Sequence, residues 1–201
     1  MCLDSNHTAT QLHRHTVTLT RTPDQCVAFL ECIESLTVRN ERMAKVTKTN
    51  VMRILTQQKI PYTIHQYFGD DVQSGIDVAE KMGASPTQMF KTLVTQAKSG
   101  EHYVFMVPVQ FELDLKKAAQ AVDEKSIAMI KEKELFPLTG YVHGGCSPIG
   151  MKKQFQTVLD ESALNYTTIL FSAGKIGNSV QLAPRALETV IPLKIADIIF
   201  K

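Results

Sequence analysis

The pattern of apolar and polar positions becomes regular only from about residue 49, and it then alternates between helical and strand-like stretches. Val51, Ile54 and Leu55 recur at helical spacing, which predicts a first helix. Thr49 or Asn50 can cap this helix at its start, and the next proline ends it. Three further helices and one helical turn are predicted, at 74–84 (SGIDVAEKMGA), 112–122 (ELDLKKAAQAV), 184–191 (PRALETVI) and, for the turn, 131–138 (KEKELFPL).

Runs rich in β-branched and aromatic residues predict strands between these helices. They are 62–67 (YTIHQY), 89–96 (MFKTLVTQ), 102–109 (HYVFMVPV), 157–162 (TVLDES), 167–174 (TTILFSAG) and 179–184 (SVQLAP). SIAMI (126–130) is a short strand or helix, TGYVHGGCSPIG (139–150) is a strand entering a glycine-rich loop, and KIADII (194–199) is a closing segment. Because strands and helices intermix without a regular βα repeat, we expect an α+β fold with a mixed, partly closed, barrel-like sheet surrounded by helices.

Residues 1–42 differ from the rest in being rich in Thr, His and Arg and in lacking steady periodicity, so we predict a poorly ordered N-terminal extension there. Met43 opens a stretch that resembles a natural chain start, so this extension is also open to the interpretation of a wrongly assigned start codon. The remaining chain, 47–201, is predicted to form one domain. The three histidines of the extension have no carboxylate or cysteine at ligand spacing, so no metal site is predicted.

Composition narrows the functional classes. A chain of 201 residues that is 44% hydrophobic can bury one ordinary core. A net charge of +2 is too mild for a dense basic surface, although it is compatible with weak or assisted binding of nucleic acid. The four cysteines form no CxxC pair, which indicates neither a disulfide framework nor a zinc site and favours the cytoplasm. The apolar stretches are too short for a membrane span, so we expect no membrane association. We also expect no bound metal and no cofactor.

Lys91 is the residue that least fits its surroundings. In a strand, Met89, Lys91 and Leu93 share one face and Phe90, Thr92 and Val94 share the other, so both faces are apolar and the strand should be central. A lysine there must extend to solvent, pair with a carboxylate or face a ligand cavity, because burial of an unpaired ammonium costs several kcal/mol.

The stretch GGCSPIGMKK (144–153) is the second candidate, because glycines allow backbone amides to form an anion-binding concavity. Gly145 and Gly150 have the GxxxxG spacing of a phosphate loop, but Met151 occupies the required lysine position, so this interpretation fails. A tight turn without function is the alternative. Cys146 is a conceivable nucleophile with His143 as base, although sequence proximity does not establish a hydrogen-bonded pair. The loop SAGKIGNSV (172–180) is a weaker signal, because most such loops are hairpin turns.

Four stretches in this order, MFKTLV, ELDLKKAAQAV, GYVHGGCSPIGMKK and SAGKIGNSVQLAP, resemble the YbaK/EbsC family of aminoacyl-tRNA deacylases, which is related to the editing domain of prolyl-tRNA synthetases. The resemblance covers about residues 47–200 and leaves 1–42 without a counterpart. It implies hydrolysis of mischarged tRNA, above all removal of cysteine from Cys-tRNA(Pro). Cysteine and proline are too similar in size for a binding pocket to separate them well, so a second, hydrolytic site is the remedy.

The resemblance also assigns residues. It implies Lys91 and Tyr67 as catalytic residues, and a substrate-binding set of Gly144, Gly145, Ser147, Pro148, Gly150 and Ser179. Cysteine-specific members carry an aspartate where this chain has Ser179, so another small amino acid is an alternative substrate.

The implied mechanism is substrate-assisted, with the thiol of the bound cysteine attacking its own ester. Lys91 would anchor the terminal adenosine or polarise the carbonyl, and amides of the glycine loop would stabilise the oxyanion. Prolyl-tRNA synthetase is the implied protein partner. Phosphate contacts are predicted for a set of basic residues: Lys116, Lys117, Lys152, Lys153, Lys175 and Arg185. A non-catalytic tRNA- or nucleotide-binding module and a structural partner of a synthetase are the rival functions.

Overall fold

The structure is a computed structural model that describes residues 48–67 and 74–200. The predicted N-terminal extension, 1–42, lies outside the described residues. The helices are α1 (Asn50–Gln57), α2 (Gly75–Lys81), α3 (Leu115–Ala121) and α4 (Glu132–Thr139), with 3₁₀ helices at Glu161–Asn165 and Pro184–Thr189. The strands are β1 (Thr63–Gln66), β2 (Met89–Ala97), β3 (His102–Pro108), β4 (Ile127–Met129), β5 (Gln156–Asp160), β6 (Ile169–Lys175), β7 (Asn178–Leu182) and β8 (Leu193–Ala196).

All eight strands of the described residues belong to one mixed sheet. Seven of them follow the order β1-β7-β6-β2-β3-β5-β8, and β4 pairs with the C-terminal end of β2. The β2–β3, β2–β4, β6–β7 and β1–β7 pairs are antiparallel, whereas β2–β6, β3–β5 and β5–β8 are parallel. The predicted mixed sheet with surrounding helices is confirmed. The expected partial closure into a barrel is not observed, because the outermost strands, β1 and β8, do not pair with each other within the described ranges and the sheet stays open.

Hydrogen bonds from side chains to backbone amides explain where three of the helices begin. Thr49 caps α1, with its hydroxyl accepting from the Met52 N–H at 3.3 Å. Ser74 forms a capping box with Asp77 at the start of α2, and Asp114 accepts two backbone N–H groups at the start of α3. Each cap satisfies amides that have no partner inside the helix. The starts of α1 and α2 agree with the sequence prediction, whereas α3 begins at Leu115, three residues after the predicted start at Glu112.

One predicted element is wrong, and another is a helix of a different type. The strand expected at the start of 139–150 is absent, because α4 continues to Thr139 and Gly140 ends it in the left-handed conformation at φ 82°. The glycine-rich loop therefore follows a helix. The predicted helix at 184–191 is a 3₁₀ helix, Pro184–Thr189.

One face of the sheet carries two apolar clusters with Lys91 between them. The first cluster joins α2 to β2 and β6 and comprises Val78, Ala79, Met89, Val109 and Leu170. The second lies under α3, contains Phe105 and Val107, and has Leu93 packed against it. Because side chains alternate along a strand, Lys91 lies on the same face as Met89 and Leu93.

Candidate functional site

Lys91 lies on the central strand of the sheet, as predicted, directly opposite Val107 of β3. Its Nζ donates to Glu112 Oε1 at 2.8 Å. The Lys91 side chain is 27% exposed, whereas that of Glu112 is 79% exposed. Of the three partners that the sequence left open, the structure gives Lys91 a carboxylate.

The backbone around Glu112 is fixed although its side chain is exposed. The Glu112 carbonyl accepts from Phe200 N–H at 3.2 Å, and Asp114 N–H donates to the Ile198 carbonyl at 2.8 Å. These bonds hold the segment against the C-terminal strand region. An exposed ion pair of this kind is worth no more than about 1 kcal/mol, so a ligand can compete for the Lys91 ammonium.

Tyr67 follows β1 and is tied to the turn between β6 and β7. Its N–H donates to the Gly177 carbonyl at 3.1 Å. Its partly buried side chain packs against the α2 cluster, which contains Met89. Tyr67 and Lys91 therefore lie on the same face of the sheet.

The start of the glycine-rich loop rests on the same β6–β7 turn. Gly145 closes a turn by donating to the Val142 carbonyl at 3.0 Å. A Cβ at Gly145 would lie 3.3 Å from the Ile176 backbone nitrogen, so a larger residue would push the loop away from the turn. Gly144 adopts φ 75°, a conformation that favours glycine. The β6–β7 turn thus joins Tyr67 to Gly144 and Gly145, a role that its weak sequence signal did not indicate.

The far end of the loop is anchored elsewhere. Tyr141 is buried and its hydroxyl donates to the Ile149 carbonyl at 2.7 Å. Asn50 of α1 donates from its side-chain amide to the Gly150 carbonyl at 3.2 Å. Burial raises the pKa of Tyr141 to about 12, so this hydroxyl keeps its proton. The loop is therefore held at both ends, and Pro148 and Ile149 are buried.

Ser179 is placed near Lys91 by strand register. It is buried in β7 opposite Ser172 of β6. The last β2–β6 pair is Phe90 with Phe171, and Lys91 and Ser172 are the next residues of these two strands. One strand thus separates Lys91 from Ser179, which corresponds to roughly 10 Å between their backbones.

Cys146 is unsuited to act as a nucleophile. It is buried, and this burial raises the pKa of its thiol from 9.0 to about 12. A thiol with that pKa is protonated at neutral pH, and the thiolate is the reactive form. His143, the proposed base, is exposed. The structure therefore argues against a Cys146–His143 pair.

Ser147 is completely buried, and its hydroxyl has no hydrogen-bond partner among the described residues. Thr92 Oγ1 on the central strand is also buried and also has no hydrogen-bond partner among the described residues. A buried hydroxyl without a partner costs about 1–3 kcal/mol. Because the whole of Ser147 is inaccessible, its assignment to the substrate-binding set stays a prediction.

Two of the cavities within residues 48–67 and 74–200 lie beside the glycine loop and beside β4. One of about 220 Å³ lies behind the glycine loop and is lined partly by Pro148, Gly150 and Phe155. The other, about 420 Å³, lies beside β4 and is lined partly by Lys98 and Lys131. Lys91 and Tyr67 line neither cavity. The implied joint action of Lys91 and the loop amides on one substrate thus stays a prediction.

The predicted phosphate-binding residues differ in their surroundings. Lys116 and Lys175 are exposed, and Arg185 lies 3.9 Å from Glu188. Lys117 is half-buried and donates to Asp197 Oδ2 and to the Ile199 carbonyl, both at 2.9 Å, so its role is structural. The ammonium of Lys152 lies 4.7 Å from the centre of the Phe136 ring.

Glu112 is the candidate that sequence reasoning missed. It lies 21 residues from Lys91, at the start of ELDLKKAAQAV, a stretch that carries the family resemblance but in which no role was assigned to Glu112, so only the fold reveals the pair. No group of three or more metal-ligating side chains occurs within 48–67 and 74–200. No helix in those ranges is long and apolar enough to cross a membrane.

Comparison with known proteins identifies the family. A family model described as "Aminoacyl-tRNA editing domain" matches residues 70–190. A protein of Enterococcus faecalis (strain ATCC 700802 / V583), named "Putative Cys-tRNA(Pro)/Cys-tRNA(Cys) deacylase EbsC", is 44% identical over 155 residues, which are 77% of this chain and 94% of that protein.

Two solved structures share the fold. A "putative trans-editing enzyme for prolyl tRNA synthetase" matches with a TM-score of 0.66 at 22% identity, over 77% of this chain and all of that one. A hypothetical protein matches with a TM-score of 0.69 at 18% identity, over 76% of this chain and all of that one. The resemblance in sequence is thus confirmed, and the chain belongs to the aminoacyl-tRNA editing domain family as an aminoacyl-tRNA deacylase.

Proposed function

We propose that this protein is a trans-editing hydrolase that removes cysteine from Cys-tRNA(Pro). The observation that carries the proposal is the position of Lys91, a partly exposed ammonium that lies between two apolar clusters on the sheet face that it shares with Tyr67. The related Enterococcus faecalis protein, whose name includes Cys-tRNA(Pro) and Cys-tRNA(Cys), supports this choice of substrate.

Lys91 binds the substrate through N–H groups that Glu112 leaves free. An ammonium has three N–H donors, and Glu112 accepts from one of them. The other two are available for a phosphate or carbonyl oxygen of the terminal aminoacyl-adenosine. Glu112 thereby also fixes the direction in which the ammonium points.

The chemistry uses the thiol of the substrate. The cysteine sulfur bonds to its own ester carbonyl carbon, the bond between that carbon and the ribose oxygen breaks, and the thiol proton passes to the departing hydroxyl. Water then opens the cyclic thioester to release cysteine. Enforced intramolecular geometry supplies several kcal/mol of the barrier reduction. The high pKa of buried Cys146 supports this route, because the protein thiol does not compete as a nucleophile.

The glycine loop stabilises the charge that develops on the carbonyl oxygen. Amides of the loop other than that of Gly145, which donates to the Val142 carbonyl, act as preorganised donors, and removal of one such donor costs about 10²–10³-fold in rate in comparable enzymes. Anchoring of the loop by Tyr141 and Asn50 supports this role, because a fixed loop does not have to reorganise during the reaction.

The partner that we propose is prolyl-tRNA synthetase in the cytoplasm. A net charge of +2 gives little electrostatic affinity for tRNA, so a complex with the synthetase would raise the local concentration of mischarged tRNA.

The test is deacylation of tRNA(Pro) charged with cysteine, alanine or serine, with and without prolyl-tRNA synthetase. We expect rapid loss of cysteine, little loss of serine, which has the same shape but no thiol, and faster turnover with the synthetase present. If alanine or serine were released as fast as cysteine, the substrate-assisted route would be wrong and water would attack the ester directly. That result would agree with Ser179, which stands where cysteine-specific members have an aspartate. No release from any of the three would overturn the function.

A further inference from the structure

We propose that a patch beside the glycine loop binds the unpaired 3′ end of tRNA by stacking a base on Phe136. The patch consists of Phe136, Val142, Ile176, Lys152 and Lys175. This inference rests on the proposed function, because it assigns the surface along which the substrate reaches the loop.

Three large apolar side chains of the patch are exposed without an evident structural need. Phe136 is 55% exposed, Val142 50% and Ile176 56%. Single exposed apolar residues are normal, but a group of them marks a binding surface.

Contacts on the loop place these residues side by side. A Cβ at Gly144 or Gly145 would lie within 3.8 Å of Ile176 Cγ1, and Val142 belongs to the same turn through its bond to Gly145. Lys152 lies at the end of α4, because its Nζ donates to the Phe136 carbonyl at 3.3 Å, and a Cβ at Gly140, two residues before Val142, would lie 3.2 Å from its Cγ.

Phe136 and Lys152 already form a stacked pair. The Lys152 ammonium lies over one side of the ring, 4.7 Å from its centre. The remaining exposed surface of the ring can accept a base, and base–aromatic stacking is the main source of affinity for single-stranded nucleic acid.

The charge of the patch suits RNA. Within the described residues neither Lys152 nor Lys175 forms an ion pair with a carboxylate, so both ammonium groups are available for phosphates. The two acidic residues of α4, Glu132 and Glu134, lie in its first turn, away from Lys152 at its C-terminal end.

A single-stranded occupant is favoured over a duplex. The aminoacyl ester is attached to the last nucleotide of tRNA, so the unpaired nucleotides before it must pass beside the loop that binds the ester. A double helix keeps its bases stacked on each other and cannot offer one to Phe136.

The experiment measures binding of two uncharged RNA hairpins, one with a single-stranded 3′ overhang and one with a blunt end. We expect the native protein to prefer the overhang. Phe136→Ala and Phe136→Leu should each weaken binding of the overhang hairpin by roughly 5- to 100-fold and leave the blunt hairpin unaffected, since Leu keeps the apolar surface but not the stacking ring. Lys152→Gln should weaken both and reduce the salt slope by about 1.

Leu164→Ala and Lys194→Gln are matched controls, since both residues are exposed and lie elsewhere in the fold, Leu164 before β6 and Lys194 in β8. Equal preference for the overhang in native protein and both Phe136 variants would overturn the inference. The inference would also be overturned if the Phe136 variants bound RNA normally but no longer bound prolyl-tRNA synthetase, since the patch would then be a protein-binding surface. If the native protein and variants bind as expected but Cys-tRNA(Pro) is not hydrolysed, the proposed function falls and the patch stands.

Discussion

Lys91 and Glu112 meet at 2.8 Å, and the pair joins the central strand of the sheet to a segment fixed against the C-terminal end of the chain. Because Glu112 is largely exposed, the pair contributes little to stability. The pair instead orients Lys91, because it holds a flexible side chain in one direction between the two apolar clusters of this face.

Replacement of Lys91 by Ala should abolish most deacylation and preserve the fold. We expect the rate on Cys-tRNA(Pro) to fall by about 10²–10³-fold, the range for loss of a positioned donor. The free energy of unfolding should change by no more than about 1 kcal/mol, because the lost ion pair is exposed. Single-turnover deacylation and urea unfolding measure the two quantities, and undiminished turnover would contradict the role of Lys91.

Replacement of Glu112 by Ala should lower kcat by about 2- to 5-fold and leave KM nearly unchanged, because the ammonium is retained but less well oriented. Glu188→Ala removes another exposed ion pair, with Arg185, and is the matched control. In a Lys91→Ala background the Glu112 change should have no further effect, as a double-mutant cycle requires for two coupled residues. Additive losses would show that Glu112 acts independently of Lys91.

Replacement of Cys146 by Ser should leave deacylation active and flatten the alkaline stability profile. The pKa of the thiol rises from 9.0 in the unfolded chain to about 12 in the fold, so its contribution is complete below pH 9 and is lost as the pH approaches 12. In that window one proton accounts for about 1.4 kcal/mol per pH unit. Denaturant unfolding at pH 7 to 11 measures the slope, and an inactive variant would restore Cys146 as a candidate nucleophile.

Replacement of Ser147 by Ala should stabilise the protein by about 1 kcal/mol, because it removes a buried hydroxyl without a partner. Activity should stay within a few-fold of the native value, since the backbone amide is unchanged. Ser162→Ala is the control, because the Ser162 hydroxyl donates to Asp160 Oδ1 at 2.5 Å and its loss should destabilise. Equal destabilisation of both variants would show that the Ser147 hydroxyl has a partner.

Replacement of Lys117 by Met should lower the free energy of unfolding by about 1–2 kcal/mol, because it removes bonds to Asp197 and to the Ile199 carbonyl. The neighbouring Lys116→Met should change it by less than about 0.5 kcal/mol, since Lys116 is exposed. Thermal unfolding of the two variants compares them directly. If Lys117→Met reduced the free energy of tRNA binding by more than it reduced the free energy of unfolding, Lys117 would again be a candidate for phosphate binding.

Much of the fold follows from local sequence. The cap at Thr49, the hairpin between β2 and β3, and the central position of the Lys91 strand were all predicted, because each depends on residues close together in the chain. The 139–150 segment was predicted wrongly as a strand entry. Its β-branched and aromatic residues suit a strand, but α4 extends to Thr139 and Tyr141 is instead buried against Ile149.

Part of the candidate site was likewise predicted from the sequence, and part was revealed only by the structure. Lys91, Tyr67 and the glycine loop were identified from sequence motifs, whereas Glu112 was not. The turn between β6 and β7 was considered a weak signal, yet it contacts both Tyr67 and Gly145.

The sequence by itself determined the cap at Thr49, most of the order of helices and strands and the membership of the editing family, because these depend on neighbouring residues or on ordered motifs. Only the tertiary structure decided that Glu112 is the partner of Lys91 and that the β6–β7 turn joins Tyr67 to the glycine loop. Those contacts link residues distant in the chain, and they form only when the sheet brings separate segments together.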